Sequence, residues 1–187
     1  AGVDYANANT GDLGGIDYVD AISGVDEMVS QGFADPKRLG VGGYSYGGYL
    51  SSWSITQTTR FKASVSGGIL ADLISFYGTT DIPQYLTIHL GEPPFPEQSL
   101  AWQRSPLKHA SKVTTPVLFY VGDSDQRTPP GQVHQMHRAV EDAGVTTLKV
   151  IYPGEGHGFV DRNNQLDLMQ RMLAWYGRYL SPAGASQ

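Results

Sequence analysis

Leu39-Gly-Val-Gly-Gly-Tyr-Ser-Tyr-Gly-Gly-Tyr-Leu50 reads as a short apolar strand, an abrupt turn built on glycine, and the start of a helix. Within it, Gly43-Tyr44-Ser45-Tyr46-Gly47 fits the G-x-S-x-G nucleophile elbow, in which a serine stands on a sharp strand-to-helix turn. The glycines have a steric reason. The serine's own backbone is strained there, and main chains on either side pass close together. Leu39 and Val41 mark the strand. Tyr46, Tyr49, Leu50 and Trp53 fall at i, i+3, i+4 and i+7, the spacing of an amphipathic helix that starts where the pattern requires. The free N–H groups and positive dipole end of such a helix face the serine oxygen, where an anionic intermediate would form.

Working outward, Tyr18, Ile22, Val25 and Val29 predict a helix to about Ser30, stopped by Gly32. Residues 1–9 read as a loop. Downstream, Phe61–Ser66 predicts a buried strand. Residues 69–112 have no clean period and are broken by Pro83, Pro93, Pro94, Pro96 and Pro106. That is too long for a simple connection, and it reads either as an insertion or cap over a pocket or as a bulky surface excursion. Pro116–Val121 is a continuous apolar run, as in a strand covered on both faces. Val133, Met136, His137 and Val140 mark a helix ending near Gly144, and Leu148–Tyr152 is a further strand. Leu166, Met169, Leu173, Tyr176 and Leu180 trace one face of a last helix, and a small polar tail follows Ser181. Alternation of this kind implies an α/β fold, with a parallel sheet flanked by helices and ligand chemistry at the carboxyl ends of the strands.

Composition narrows the function classes. The chain has 187 residues, enough for one domain with a sizeable core, with 40% hydrophobic and 17% charged residues. A net charge of −5 gives no support for a nucleic-acid surface. The absence of cysteine excludes disulfides and thiol chemistry. No stretch is long and apolar enough to span a membrane and no signal-peptide pattern opens the sequence, so a soluble protein is expected, the cytoplasm being the favoured compartment.

Three polar candidates follow three different strands: Ser45, an Asp at 123 or 125, and His157. A serine hydroxyl is a poor nucleophile near neutral pH and needs a base within hydrogen-bond reach. Histidine suits that role, and a carboxylate holds the ring's tautomer and offsets its developing charge. The order Ser, Asp, His is that of α/β-hydrolases. Among five histidines, His157 alone sits between glycines directly after a strand. His134 and His137 share a helix face without a carboxylate partner pattern, so no metal is expected there. His89 and His109 fall in the irregular stretch. Spacing does not separate Asp123 from Asp125.

Six segments, in order, resemble the C-terminal peptidase domain of the prolyl oligopeptidase family, near its acylaminoacyl-peptidase and dipeptidyl-peptidase branches. They are Gly11–Asp17, Asp35–Leu39, Gly43–Tyr49, Arg104–Leu107, Gly122–Pro129 and Tyr152–Phe159. The resemblance implies an α/β-hydrolase fold and a serine peptidase that cleaves short peptides or acyl-peptides without a cofactor. A carboxylesterase, or a silent binding or assembly module, is the alternative. It selects Asp125 as the acid, because Arg127 matches the Arg of a D-x-R-x-P-like segment. It makes Ser45 the nucleophile, His157 the base and the backbone N–H of Tyr46 an oxyanion donor. Arg127, Phe76 and Tyr77 become candidate substrate contacts, with an exposed salt bridge for Arg127 and core packing for the two aromatics as the alternatives.

The sequence also departs from that family. No His-Gly-Gly or Tyr-Gly-Gly segment precedes the elbow, so the second oxyanion donor has no source in it, and the usual N-terminal propeller is absent. Residues 1–187 therefore read as the C-terminal portion of an α/β-hydrolase catalytic domain, incomplete at its N-terminal side. The elbow strand is expected to be a bare sheet edge that a missing portion or another chain would cover.

Overall fold

The computed structural model describes residues 2–95 and 99–181; Pro96 and the tail after Ser181 lie outside the described residues. The element order is α1 (Val3–Ala6), α2 (Ile16–Ser30), β1 (Gly40–Tyr44), α3 (Tyr46–Gln57), β2 (Ala63–Gly67), α4 (Leu73–Thr79), α5 (Gln84–Leu90) and α6 (Leu100–Gln103). A 3₁₀ stretch (Pro106–Lys112), β3 (Val117–Gly122), α7 (Pro130–Asp142), β4 (Thr147–Tyr152) and α8 (Arg162–Leu180) follow. The opening segment holds one helical turn, α1, where a loop is expected; four residues are too few to show a period. At the end of α2, Gly32 takes φ +76° and the amides of Phe33 and Ala34 both donate to the Met28 carbonyl, the stop that the sequence predicts.

The four strands form one sheet in the order β1-β2-β3-β4, every pair parallel. β3 explains why its sequence is apolar throughout. Val117, Phe119 and Val121 face one core with Ile55, Val133, Met136 and Val140, whereas Leu118 and Tyr120 face another with Val65, Tyr152 and Trp175. α3 and α7 cover the first face and α8 the second. The 69–112 stretch is a packed insertion with a core of its own, in which Leu73, Phe76, Leu86 and Leu90 close over Leu13, Tyr49 and Trp53. Its exit from β2 is fixed by the buried Gln132, whose Oε1 accepts from the amides of Ala71 and Asp72, both at 2.9 Å.

Two helices differ from their sequence patterns. α3 is not one-sided: Gly48, Tyr49 and every residue from Ser51 to Thr56 are buried. Two of its buried serines are satisfied, Ser51 by pairing with Ser66 at 2.8 Å and Ser54 by donating to the Leu50 carbonyl, whereas the Ser52 hydroxyl is buried without a partner among the described residues. In α8 the stripe Leu166, Met169 and Leu173 points outward, at 52%, 58% and 72% exposure. The packed face is Leu168, Met172, Trp175, Tyr176 and Tyr179, with Leu180.

Among the described residues β1 is an outer strand, paired only with β2, so its far edge carries no strand. From α8 the Tyr176 hydroxyl donates to the Val41 carbonyl at 2.9 Å. Among the described residues no helix is long and apolar enough to cross a membrane.

Candidate active site

The elbow is built by crowding. A Cβ on Gly43 would stand 2.4 Å from the backbone of Gly47, and one on Gly48 would stand 2.0 Å from the Gly67 carbonyl oxygen. A Cβ on Gly47 would meet nothing within 4 Å. So the third glycine of the run, not the second one of the pattern, lets α3 settle onto β2. Between them Ser45 takes φ 62°, ψ −120°, the one positive φ outside glycine among the described residues. Its amide donates to the Gly67 carbonyl at 3.0 Å, which ties the turn to the neighbouring strand.

The loops after β1, β3 and β4 bring Ser45, Asp125 and His157 together. His157 Nε2 lies 2.9 Å from Ser45 Oγ. His157 Nδ1 lies 2.9 Å from Asp125 Oδ2 and 3.2 Å from Oδ1. The acid's side chain is fully buried and the imidazole is 29% exposed. Oδ1 of Asp125 accepts from the amides of Arg127 and Thr128, both at 2.9 Å, and Oδ2 accepts from the Thr128 hydroxyl at 2.8 Å. The Tyr44 phenol donates to the same Oδ2 at 3.3 Å. Its ring stacks on Tyr120 and stands 5.0 Å from the imidazole. Burial, then the Asp125 charge, pushes the Tyr44 phenol well above the ordinary tyrosine range, so it stays a donor.

Asp123 does different work. Its Oδ1 accepts from the Gly154 amide and the Ser124 hydroxyl, both at 2.8 Å, joining the two loops below the site. Glu155 braces the His157 loop. Its carboxylate is buried and accepts from the Asn164 side chain at 2.9 Å and from the amides of Val160 and Asp161 at 2.8 and 3.0 Å. Those bonds, the Asn164 one foremost, hold its carboxyl below its ordinary value.

Beside Ser45 is a cavity lined by Leu70, Phe76, Ile82, Tyr85, Arg127 and Thr128. Phe76 and Arg127 therefore reach it. Tyr77 does not line it, and its ring packs edge-on against Phe95 instead. Arg127 is engaged by Asp81 through Nε at 2.6 Å and Nη2 at 3.2 Å, and the pair lies at the surface. The Tyr46 hydroxyl turns away to Asp17 on α2, leaving only the backbone of Tyr46 at the head of α3 near Ser45. His109 bonds the Gln103 carbonyl at 2.9 Å and the His89 ring lies tilted at 45° against Tyr85, so both serve local packing. His134 is exposed and His137 half-buried on α7. Tyr44, Thr128, Asp81 and Glu155 were not singled out by sequence. Tyr44, Thr128 and Glu155 lie inside segments that carry the family resemblance, which is the one signal the sequence offers for them.

These elements match known proteins along almost their whole length. The chain is 37% identical over 184 residues to an uncharacterized peptidase, YuxL, of Bacillus subtilis (strain 168), covering 96% of this chain and 28% of that protein. It is 31% identical over 187 residues to the acylamino-acid-releasing enzyme of Arabidopsis thaliana, covering 95% of this chain and 24% of the enzyme. Among solved structures, a puromycin-hydrolyzing peptidase of Mycobacterium tuberculosis superposes with a TM-score of 0.89 at 34% identity, over 96% of this chain and 28% of that one. The acylaminoacyl peptidase of Pyrococcus horikoshii gives 0.90 at 25%, over 98% and 31%. The chain thus spans between about a quarter and a third of the length of these relatives. Residues 1–183 match the model of the prolyl oligopeptidase family, and the chain, an α/β-hydrolase in fold, belongs to that family.

Proposed function

We propose that the protein is a serine peptidase acting on short peptides or acyl-peptides, with Ser45 as nucleophile, His157 as general base and then acid, and Asp125 as the residue that orients the ring. The observation that carries this reading is the unbroken chain of contacts from Asp125 Oδ2 through the imidazole to Ser45 Oγ, at 2.9 Å on both sides. Both lengths lie within hydrogen-bond reach for proton transfer. In the reaction, Nε2 takes the Ser45 proton as Oγ bonds to the substrate carbonyl carbon. The tetrahedral oxyanion collapses, the carbon–nitrogen bond breaks, and Nε2–H protonates the departing amine. Water then repeats the sequence on the acyl-serine and releases the acid. The Tyr46 amide heads α3 without an intrahelical partner and serves as one oxyanion donor. The wall of Leu70, Phe76, Ile82 and Tyr85 suits an apolar group on the acyl side.

Peptide rather than ester hydrolysis is favoured by the relatives, which by name are a peptidase, an acylamino-acid-releasing enzyme and a puromycin-hydrolyzing peptidase. We further propose that residues 1–187 are the C-terminal portion of a longer catalytic domain, and that another part of the polypeptide lies along β1 and supplies the second oxyanion donor. A fluorophosphonate probe is expected to label Ser45 in the native protein and to leave the Ser45→Ala variant unlabelled. Equal labelling of both would remove the assignment. Faster turnover of nitrophenyl esters than of aminoacyl anilides would move the protein to the esterases. A folded protein that takes no label would be a binding module.

A further inference from the structure

We propose that the hydroxyls of Thr128 and Tyr44 are positioning residues for Asp125, limiting how much of its charge the His157 ring can draw upon. The inference rests on the peptidase reading above. A carboxylate offers about four lone-pair sites. Here two backbone amides occupy Oδ1, which also lies 3.2 Å from His157 Nδ1, and two hydroxyls, Thr128 at 2.8 Å and Tyr44 at 3.3 Å, share Oδ2 with the imidazole; Thr128 Oγ1 stands 3.3 Å from Nδ1 as well, so Tyr44→Phe is the variant that acts through the carboxylate alone. The acid is therefore oversubscribed on the side that faces the base.

Packing alone does not call for either hydroxyl. Thr128 is buried, and a valine would fill its volume. The Tyr44 ring stacks on Tyr120 and meets Phe159 edge-on, contacts a phenylalanine would keep. What the two oxygens add is a pair of donors on one carboxylate oxygen, from opposite sides of the site: the end of β1 and the loop after β3. Each donor fixes the carboxylate plane, and each withdraws charge from the oxygen beside Nδ1. Removing one leaves more of that charge for the ring as it becomes positive.

Other ionisable groups face the ring or its partners. Asp81 interacts electrostatically with His157, but it is paired with Arg127, which also interacts with Asp125. Glu155 and Tyr120 bear on Tyr44. None of these bonds the Asp125 carboxylate through its side chain, so substitution of the two hydroxyls changes that contact without touching them.

The test is an NMR titration of the His157 ring in the native full-length protein, together with the pH profile of kcat/KM on an aminoacyl anilide. Thr128→Val, Tyr44→Phe and Thr128→Ser are compared with wild type. Thr128→Val is expected to move the ring's titration midpoint, and the acid limb of kcat/KM with it, to higher pH by about half a unit. Tyr44→Phe should move both in the same direction by less, in keeping with its longer bond, and Thr128→Ser should restore the wild-type value. Midpoints unmoved, or moved downward, in Thr128→Val and Tyr44→Phe would overturn the proposal, even if kcat falls. Should Thr128→Val not fold, Tyr44→Phe decides alone. Variant midpoints that move as expected in a protein that takes no fluorophosphonate label would sink the peptidase reading, while the link from the two hydroxyls through Asp125 to the ring would stand.

Discussion

Ser45 carries a backbone conformation that glycine adopts freely and a side chain-bearing residue does not. Such strain costs on the order of 1–3 kcal/mol. Ser45→Gly is therefore expected to stabilise the protein by about 1 kcal/mol in urea unfolding, after the looser unfolded chain is allowed for, while abolishing probe labelling. Ser45→Ala keeps the Cβ and should show no such gain. If the two variants unfold alike, the strain is not stored at this residue. The neighbouring glycines separate in the same way. Gly48→Ala drives a methyl against the Gly67 carbonyl and should destabilise by about 1–3 kcal/mol, whereas Gly47→Ala should stay within about 0.5 kcal/mol. At this scale the sequence was legible where chemistry demands a fixed pattern, at Ser45 and His157. Asp123 and Asp125 are equally placed after one strand; spacing leaves them level, the family resemblance selects Asp125, and in the fold the way each carboxylate turns separates them. Thr128, Gln132 and Glu155 owe their importance to partners on other elements, which no local spacing encodes.

Among the elements, β3 was readable because burial on both faces writes an uninterrupted apolar run. α8 was misread for a related reason. Its sequence carries two apolar stripes at helical spacing, and the one that packs is set by Trp175 and Tyr179, not by Leu166, Met169 and Leu173. The start of α8 is held by Glu155, through the amides of Val160 and Asp161. Because the folded carboxyl titrates below its ordinary value, its contribution is complete above that value and is lost as pH falls through the depressed one. The melting temperature of the wild type should therefore fall more steeply than that of Glu155→Gln between about pH 5 and pH 3. Parallel acid limbs would mean that these bonds hold nothing in the folded state.

For the whole molecule, the outer strand β1 is where the remaining polypeptide is proposed to lie, and the exposed leucine and methionine stripe of α8 tests whether that cover extends further. Leu173→Glu should change the unfolding free energy of the 187-residue chain by less than about 0.5 kcal/mol, because the side chain is 72% exposed. In the full-length protein the same change should destabilise measurably. If it is neutral in both, nothing covers that face. The fold class could be reached from alternation alone. The insertion's internal packing could not, since its core is assembled against Leu13, Tyr49 and Trp53 from elsewhere in the chain.

The insertion is also fastened to the loop that carries Asp125. Thr80 donates to the Arg127 carbonyl at 2.7 Å, the Asp81 amide to the Gln126 carbonyl at 3.0 Å, and the Arg127 side chain to Asp81. Entrance and engine are thus bolted to a common bracket. On the proposed reading, a ligand that displaced the insertion would pull on the loop that carries Asp125, and so act on the site without reaching Ser45.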